Sequence, residues 1–354
     1  MMAYVKSRVF GVLAAVLLAA GVHAAPLPVV VSSTDVATIV EAVGGDAVAV
    51  TSLVKGTEDA HVVEPTRRMV ESLARSDLVV VVGLGLEEAW LPGMLAQTRR
   101  SEIAPGGERY LDLSTNMRTI AGPEGRGVPG SFHPEDNPHF LVDPVEGVKA
   151  AAAVAAKLSE LVPQKAEQFD QGYRAFAEAI MVELLGEALA EAHTAEEFEE
   201  LAIAIERGEL EQHLAAKGVG DLALGGRLAD FETYRDVPVV GDHDYWPYFA
   251  RRYGVRVLGY LEVEPGVPPT TPHLQRVITE MKDRDARVIL TLPYFDPRHA
   301  RFVADATDAI IVPMAHTPES LPNTETYLEW VLYNEKALLE ALKQTRSPAA
   351  ADTP

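Results

Sequence analysis

Asp77-Leu78-Val79-Val80-Val81-Val82-Gly83 is the stretch on which the fold turns. Five apolar residues follow one another, four of them valine, between an acidic residue and a glycine. The run is too short to cross a membrane and lacks the polar alternation of a strand with one wet face, so it reads as a strand covered on both sides. Three similar runs lie in the same half of the chain: 28–33, 48–54 and 110–114. Helical patterns fill the gaps at 35–43, 65–75 and 86–98. The second half repeats the scheme, with strands at 237–241, 255–261, 287–292 and 309–313 and helices at 245–253, 270–283, 296–305 and 324–342. Strand–helix alternation with apolar strands predicts an α/β protein of two lobes, each a mainly parallel sheet flanked by helices.

Between the halves, 144–161 is Ala-rich and helical, and Pro163 opens a second helix with the stripe Phe169, Tyr173, Phe176, Ile180 and Leu184. The expected organisation is an N-terminal lobe over 25–162, a long connecting helix over 163–193 and a C-terminal lobe over 237–345. A single helix of about 30 residues would be roughly 45 Å long and would restrict hinge opening. The acidic, then Gly-rich, segment 194–236 is expected to be a surface insertion, and 346–354 a disordered tail.

Residues 1–24 have the pattern of an export signal: Lys6 and Arg8, an apolar run from Val9 to Val22, and the small-residue site Val22-His23-Ala24. The run is short for a membrane anchor. There is no cysteine, so neither disulfides nor thiolate ligands are available, and a lipid-attachment cysteine is missing. A free periplasmic protein, not a lipoprotein, is therefore expected. Removing the signal moves the net charge from −21 to −23, because it takes away Lys6 and Arg8 and no acidic residue. Such acidity argues against nucleic acid as a partner. About 330 residues remain, enough for two domains with separate cores.

Ten histidines are present. His23 leaves with the signal, and surface positions are expected for His193, His213, His273 and His299. His61, His139, His243 and His316 differ, since each follows the carboxyl end of an expected parallel strand, where open α/β sheets form their ligand crevices. Neutral imidazoles converging there suit Zn²⁺; manganese favours more carboxylate oxygen, and copper(I) sulfur. Asp59 and Glu64 near His61, Asp143 after His139, and Asp242 and Asp244 around His243 are candidates to orient the ligand rings. No third glycine completes a dinucleotide fingerprint at Gly83-Leu84-Gly85, and neither H-E-x-x-H nor G-x-S-x-G occurs.

The segments Asp59-Ala60-His61-Val62-Val63-Glu64-Pro65-Thr66, Asn137-Pro138-His139-Phe140-Leu141-Val142-Asp143-Pro144 and Asp242-His243-Asp244, the last with Tyr248 to Gly254, resemble three ligand motifs of one family. That family is the zinc/manganese-type periplasmic solute-binding proteins of bacterial metal ABC transporters, the cluster A-I metal receptors. The resemblance implies two lobes joined by a backbone helix, one metal between them, and delivery to a membrane ABC permease rather than catalysis. It carries over His61, His139 and His243 as ligands. A histidine at the third position, where manganese receptors tend to have Glu, favours zinc over Mn²⁺. The family's fourth ligand is often a carboxylate near the end of the second lobe; here the corresponding loop holds His316 and no Asp. His316 ranks slightly ahead of Asp296, Glu262, Glu264 and water. His133, Glu135 and Asp136 are at most a remnant of the His-rich loop of many zinc receptors, which leaves a periplasmic metallochaperone and free solution both open as metal sources. Competing readings are a secreted zinc hydrolase with a three-His site, a manganese or iron receptor of the same fold, and an adhesin-like surface protein.

Overall fold

The computed structural model describes residues 25–120, 136–263 and 267–345. The signal (1–24), His133, Glu135, Glu264 and the tail (346–354) lie outside the described residues. In the first lobe β1 (Leu27–Val31), α1 (Thr34–Gly44), β2 (Val48–Ser52), α2 (Arg67–Arg75), β3 (Leu78–Val81), α3 (Leu91–Thr98) and β4 (Tyr110–Asp112) alternate. Their sheet has the order β2-β1-β3-β4, and every pairing is parallel. All four residues of β3 are buried, as an apolar run between two helical layers must be. Helix α3 begins later than the sequence suggests. After the left-handed residues Gly83, Leu84 and Gly85, the chain runs through successive tight turns, in which Leu86, Glu88 and Trp90 donate to the carbonyls of Gly83, Gly85 and Glu87, and turns helical only at Leu91.

The connecting region holds α4 (Pro144–Leu161), α5 (Ala166–Leu185) and α6 (Glu187–Glu191). The long helix expected over 163–193 is thus broken. Gly186 sits at φ +83° at the end of α5, and Gly225 donates its N–H to the Leu185 carbonyl at 2.8 Å. A Cβ on Gly226 would lie 2.4 Å from the Glu183 carbonyl oxygen, so only glycine lets the chain pass so close.

The segment expected to be a surface insertion forms α7 (Phe198–Arg207), α8 (Leu210–Lys217) and α9 (Gly226–Phe231). It is not an appendage: Phe198, Leu201, Leu214, Leu228 and Phe231 are buried in the main core. The second lobe follows as β5 (Pro238–Gly241), α10 (Pro247–Tyr253), β6 (Arg256–Tyr260), α11 (Thr271–Asp283), β7 (Val288–Thr291), α12 (Pro297–Thr307), β8 (Ile310–Pro313) and α13 (Tyr327–Thr345). Its sheet order β6-β5-β7-β8, again all parallel, repeats that of the first.

Two separate cores were expected, but the packing differs. One continuous core runs from β1 and α1 through α4, α5 and α10 to α13, and each lobe adds a smaller core on its outer face. Among the described residues no helix is long and apolar enough to cross a membrane.

Candidate metal site

Parallel strands end on one side of each sheet, and the two lobes turn those sides towards each other. His61 lies in the loop after β2 and His139 in the approach to α4; His243 lies two residues after β5. Their rings meet edge to face, with centroids 5.0 Å apart for His61–His139, 5.3 Å for His61–His243 and 5.6 Å for His139–His243. One ring nitrogen from each lies within 4.8 Å of the other two, the only group of three or more metal-ligating side chains found among the described residues.

Carboxylates set two of the rings. Asp59 accepts from the His61 backbone N–H at 2.9 Å and lies 2.8 Å from its Nδ1. Glu262 lies 2.9 Å from Nδ1 of His243. In both, Nδ1–H donates to the carboxylate, which leaves the lone pair on Nε2. Burial raises the Asp59 carboxyl, and the hydrogen bonds and charge of His61 more than offset it, so Asp59 stays below the usual carboxylate range. Burial, with the neighbouring His61 charge second, lowers His243 to about 3, so this ring is neutral at pH 7. His139 is held differently: its ring stacks on Tyr245 at 4.1 Å, and its backbone N–H donates to Asn137 Oδ1 at 2.9 Å.

The two lobes are locked together beside the rings. Asn137 Nδ2 donates to the Asp244 carbonyl at 2.8 Å, and the Tyr248 hydroxyl donates to the Asn137 carbonyl at 2.7 Å. Arg252 forms two bonds to Asp143, at 2.8 and 2.9 Å, with both side chains almost wholly buried. Asp143, expected to orient His139, thus serves a structural ion pair and caps α4 instead. Burial pushes its carboxyl up, but the Arg252 charge outweighs this and the net shift is down.

The remaining candidates are spread around the rings. His316 lines, together with His61 and His139, a cavity with a volume of about 20 Å³, room for a single ion or water. Its Nε2 lies 3.2 Å from the Glu58 carbonyl, and its Nδ1 is buried with no hydrogen-bond partner. It stands outside the three-nitrogen group. Burial lowers it to about 4. Asp296 caps α12 and pairs with Arg298, away from the rings. Glu64 is exposed and Asp136 half-buried. Asp242 accepts from Leu292 N–H at 2.6 Å and is pushed far above the carboxylate range by burial; Asp244 bonds Tyr260. Sequence reasoning passed over Asp35, a buried carboxyl in the cavity wall, and Tyr245 and Tyr294, which line it too. Asp35 follows β1, a strand end with no histidine to draw notice.

A cavity for one cation, walled by imidazoles from both lobes of a doubled parallel α/β fold, defines a metal-binding receptor. The chain belongs to the family of zinc-uptake complex component A, periplasmic (ZnuA), whose model matches residues 29–194 and 228–341. Its members are solute-binding receptors of metal ABC transporters rather than enzymes. The chain is 25% identical over 171 residues to the high-affinity zinc uptake system protein ZnuA of Brucella abortus (strain 2308). That match covers 48% of this chain and 39% of the relative, so it spans well under half of the curated protein. The laminin-binding adhesin Lmb of Streptococcus agalactiae, in a mutant structure, superposes with a TM-score of 0.65 at 20% identity, covering 90% of this chain and all of that one. A Mn-bound periplasmic metal-binding protein from Candidatus Liberibacter asiaticus gives 0.62 at 17% identity, covering 89% and 98%. At such identities the two structures establish the shared fold.

Proposed function

We propose that this chain is a periplasmic zinc receptor: it captures one Zn²⁺ on His61, His139 and His243 and hands it to the membrane ABC permease of a metal importer. The observation that carries this reading is the donor set, three imidazole nitrogens from two lobes within 4.8 Å of one another and no carboxylate among them. The acidic groups beside the rings, Asp59 and Glu262, engage Nδ1 of the histidines. Imidazole donors suit zinc, whereas a manganese site draws on carboxylate oxygen. A tetrahedral ion with bonds of about 2.0–2.1 Å places its donors about 3.4 Å apart, within the bound that these three nitrogens meet. His316 is the proposed fourth ligand, because its buried Nδ1 lacks a partner on the wall of the cavity it shares with His61 and His139.

The experiment is a competition. Metal-free protein equilibrated with equal free Zn²⁺ and Mn²⁺ should retain zinc with a preference of at least about 100-fold, in line with the general affinity order for nitrogen sites. Retention of manganese at parity or better would overturn the zinc assignment and favour the manganese reading that the Mn-bound neighbour raises.

A further inference from the structure

Two histidines expected at the surface are not there in the way the sequence suggests. His273 is buried and satisfied, its Nε2 donating to the Tyr260 carbonyl at 2.9 Å. His193 is also buried, at 6% exposure, but its surroundings are unlike those of a satisfied core histidine. It follows α6, and its ring stacks on that of His213 on α8, with centroids 5.6 Å apart and planes 21° from parallel. Nδ1 of His193 donates to the Leu189 carbonyl at 2.9 Å, which fixes the tautomer and leaves a lone pair on Nε2. That Nε2 and the Nε2 of His213 are both buried without any hydrogen-bond partner.

One orphaned buried nitrogen is a cost; two on stacked neighbouring rings share a cause. A divalent cation that prefers imidazole satisfies both at once. Glu197, the carboxylate close enough to feel the charge of His193, is already occupied by the Thr194 N–H and Lys217. We infer that His193 and His213 form a second site for a transition-metal ion of the zinc, nickel or copper class, with two imidazole ligands and the remaining positions filled by water. His193 lies within the stretch matched by the family model, and His213 lies in the unmatched residues 195–227. The ion would therefore staple the segment outside the family match to the residues that follow α6.

With two protein ligands, the site binds zinc at least about tenfold more weakly than a site with three. The test is calorimetric titration of the full chain with Zn²⁺, beside His213→Gln, His193→Gln and His243→Ala. The wild-type chain should show two classes of site. His213→Gln should lose the weaker class and keep the tighter one, and the added thermal stabilisation beyond the first equivalent of zinc should vanish with it. His213 is only half-buried, so this variant keeps the fold; circular dichroism checks that, and His193→Gln serves as the second probe. His243→Ala should do the reverse, losing the tight class and keeping the weak one, so failure of the cleft assignment and failure of this one give different traces. A single class in the wild-type chain, or a weak class that survives in both His193→Gln and His213→Gln, overturns the inference.

Discussion

In the first lobe His61 rides on the long loop after β2, beside Val62, which is 68% exposed, and its partner Asp59 is itself partly open to water. In the second lobe His243 sits two residues beyond β5, 2% exposed, and its partner Glu262 is equally deep. The same carboxylate–imidazole pairing is thus built twice, once where water can replace a lost partner and once where it cannot. A buried pair resists substitution because the surviving half is left unsatisfied in a dry place. Of the two pairs, His243–Glu262 is the more deeply fixed and His61–Asp59 the more open to water.

The largest test of this contrast removes a ligand. Structural zinc sites bind with about 10–16 kcal/mol over four ligands, so losing one costs a factor of about 10²–10³. His243→Ala should reach that range, since it also strands Glu262, and His61→Ala should fall short of it. Equal losses, read by competition with a chromophoric chelator, would erase the distinction between the lobes. Next come the carboxylates. Glu262→Gln should weaken zinc binding by about 10–100-fold, and Asp59→Asn by less than about tenfold, because solvent can take over at Nδ1 of His61. If Asp59→Asn cost as much as Glu262→Gln, exposure would not be what separates them.

A further test is on pH. His243 is lowered to about 3 from 6.5, so below pH 6.5 the unfolded chain takes up a proton that the folded chain refuses. The metal-free protein should therefore lose stability as pH falls from 6.5 towards 3, by about 1 kcal/mol per unit. His316, lowered to about 4, acts in the same direction. Urea unfolding at pH 7 and pH 5 should show a smaller difference for His243→Gln than for the wild-type chain. An unchanged difference would place the acid sensitivity elsewhere.

The sheets were legible because a parallel strand covered on both faces must be apolar throughout, as Leu78–Val81 is. The ring-bearing loops were legible because His61, His139 and His243 each follow such a run. Glu262 shows the limit. The sequence offers it as a possible fourth ligand, but its meeting with His243 depends on β5 and β6 being neighbours, with Gly241 opposite Tyr260. Strand order is a tertiary fact that no local pattern encodes. Gly186 was a visible signal that was overridden: the stripe from Phe169 to Leu184 is regular, and the break beyond it is fixed by Gly225 and Gly226, distant in sequence. His193 and His273 were misplaced for a related reason, since their polar sequence neighbours face outward while the rings themselves face in.

The broken helix changes where rigidity comes from. A rod that ends at Leu185 does not by itself hold the lobes apart or together; the Arg252–Asp143 pair and the Tyr248–Asn137 bond do. Pulling the lobes apart as rigid bodies would break a doubly bonded, almost wholly buried ion pair. The loop carrying Asp59 and His61 is itself tied on both sides: Trp90 Nε1 donates to the Ala60 carbonyl at 2.9 Å, and the Thr317 hydroxyl of the second lobe donates to the Gly56 carbonyl at 3.2 Å. The lobes are thus latched by that loop as well as by the ion pair, on the two sides of the rings.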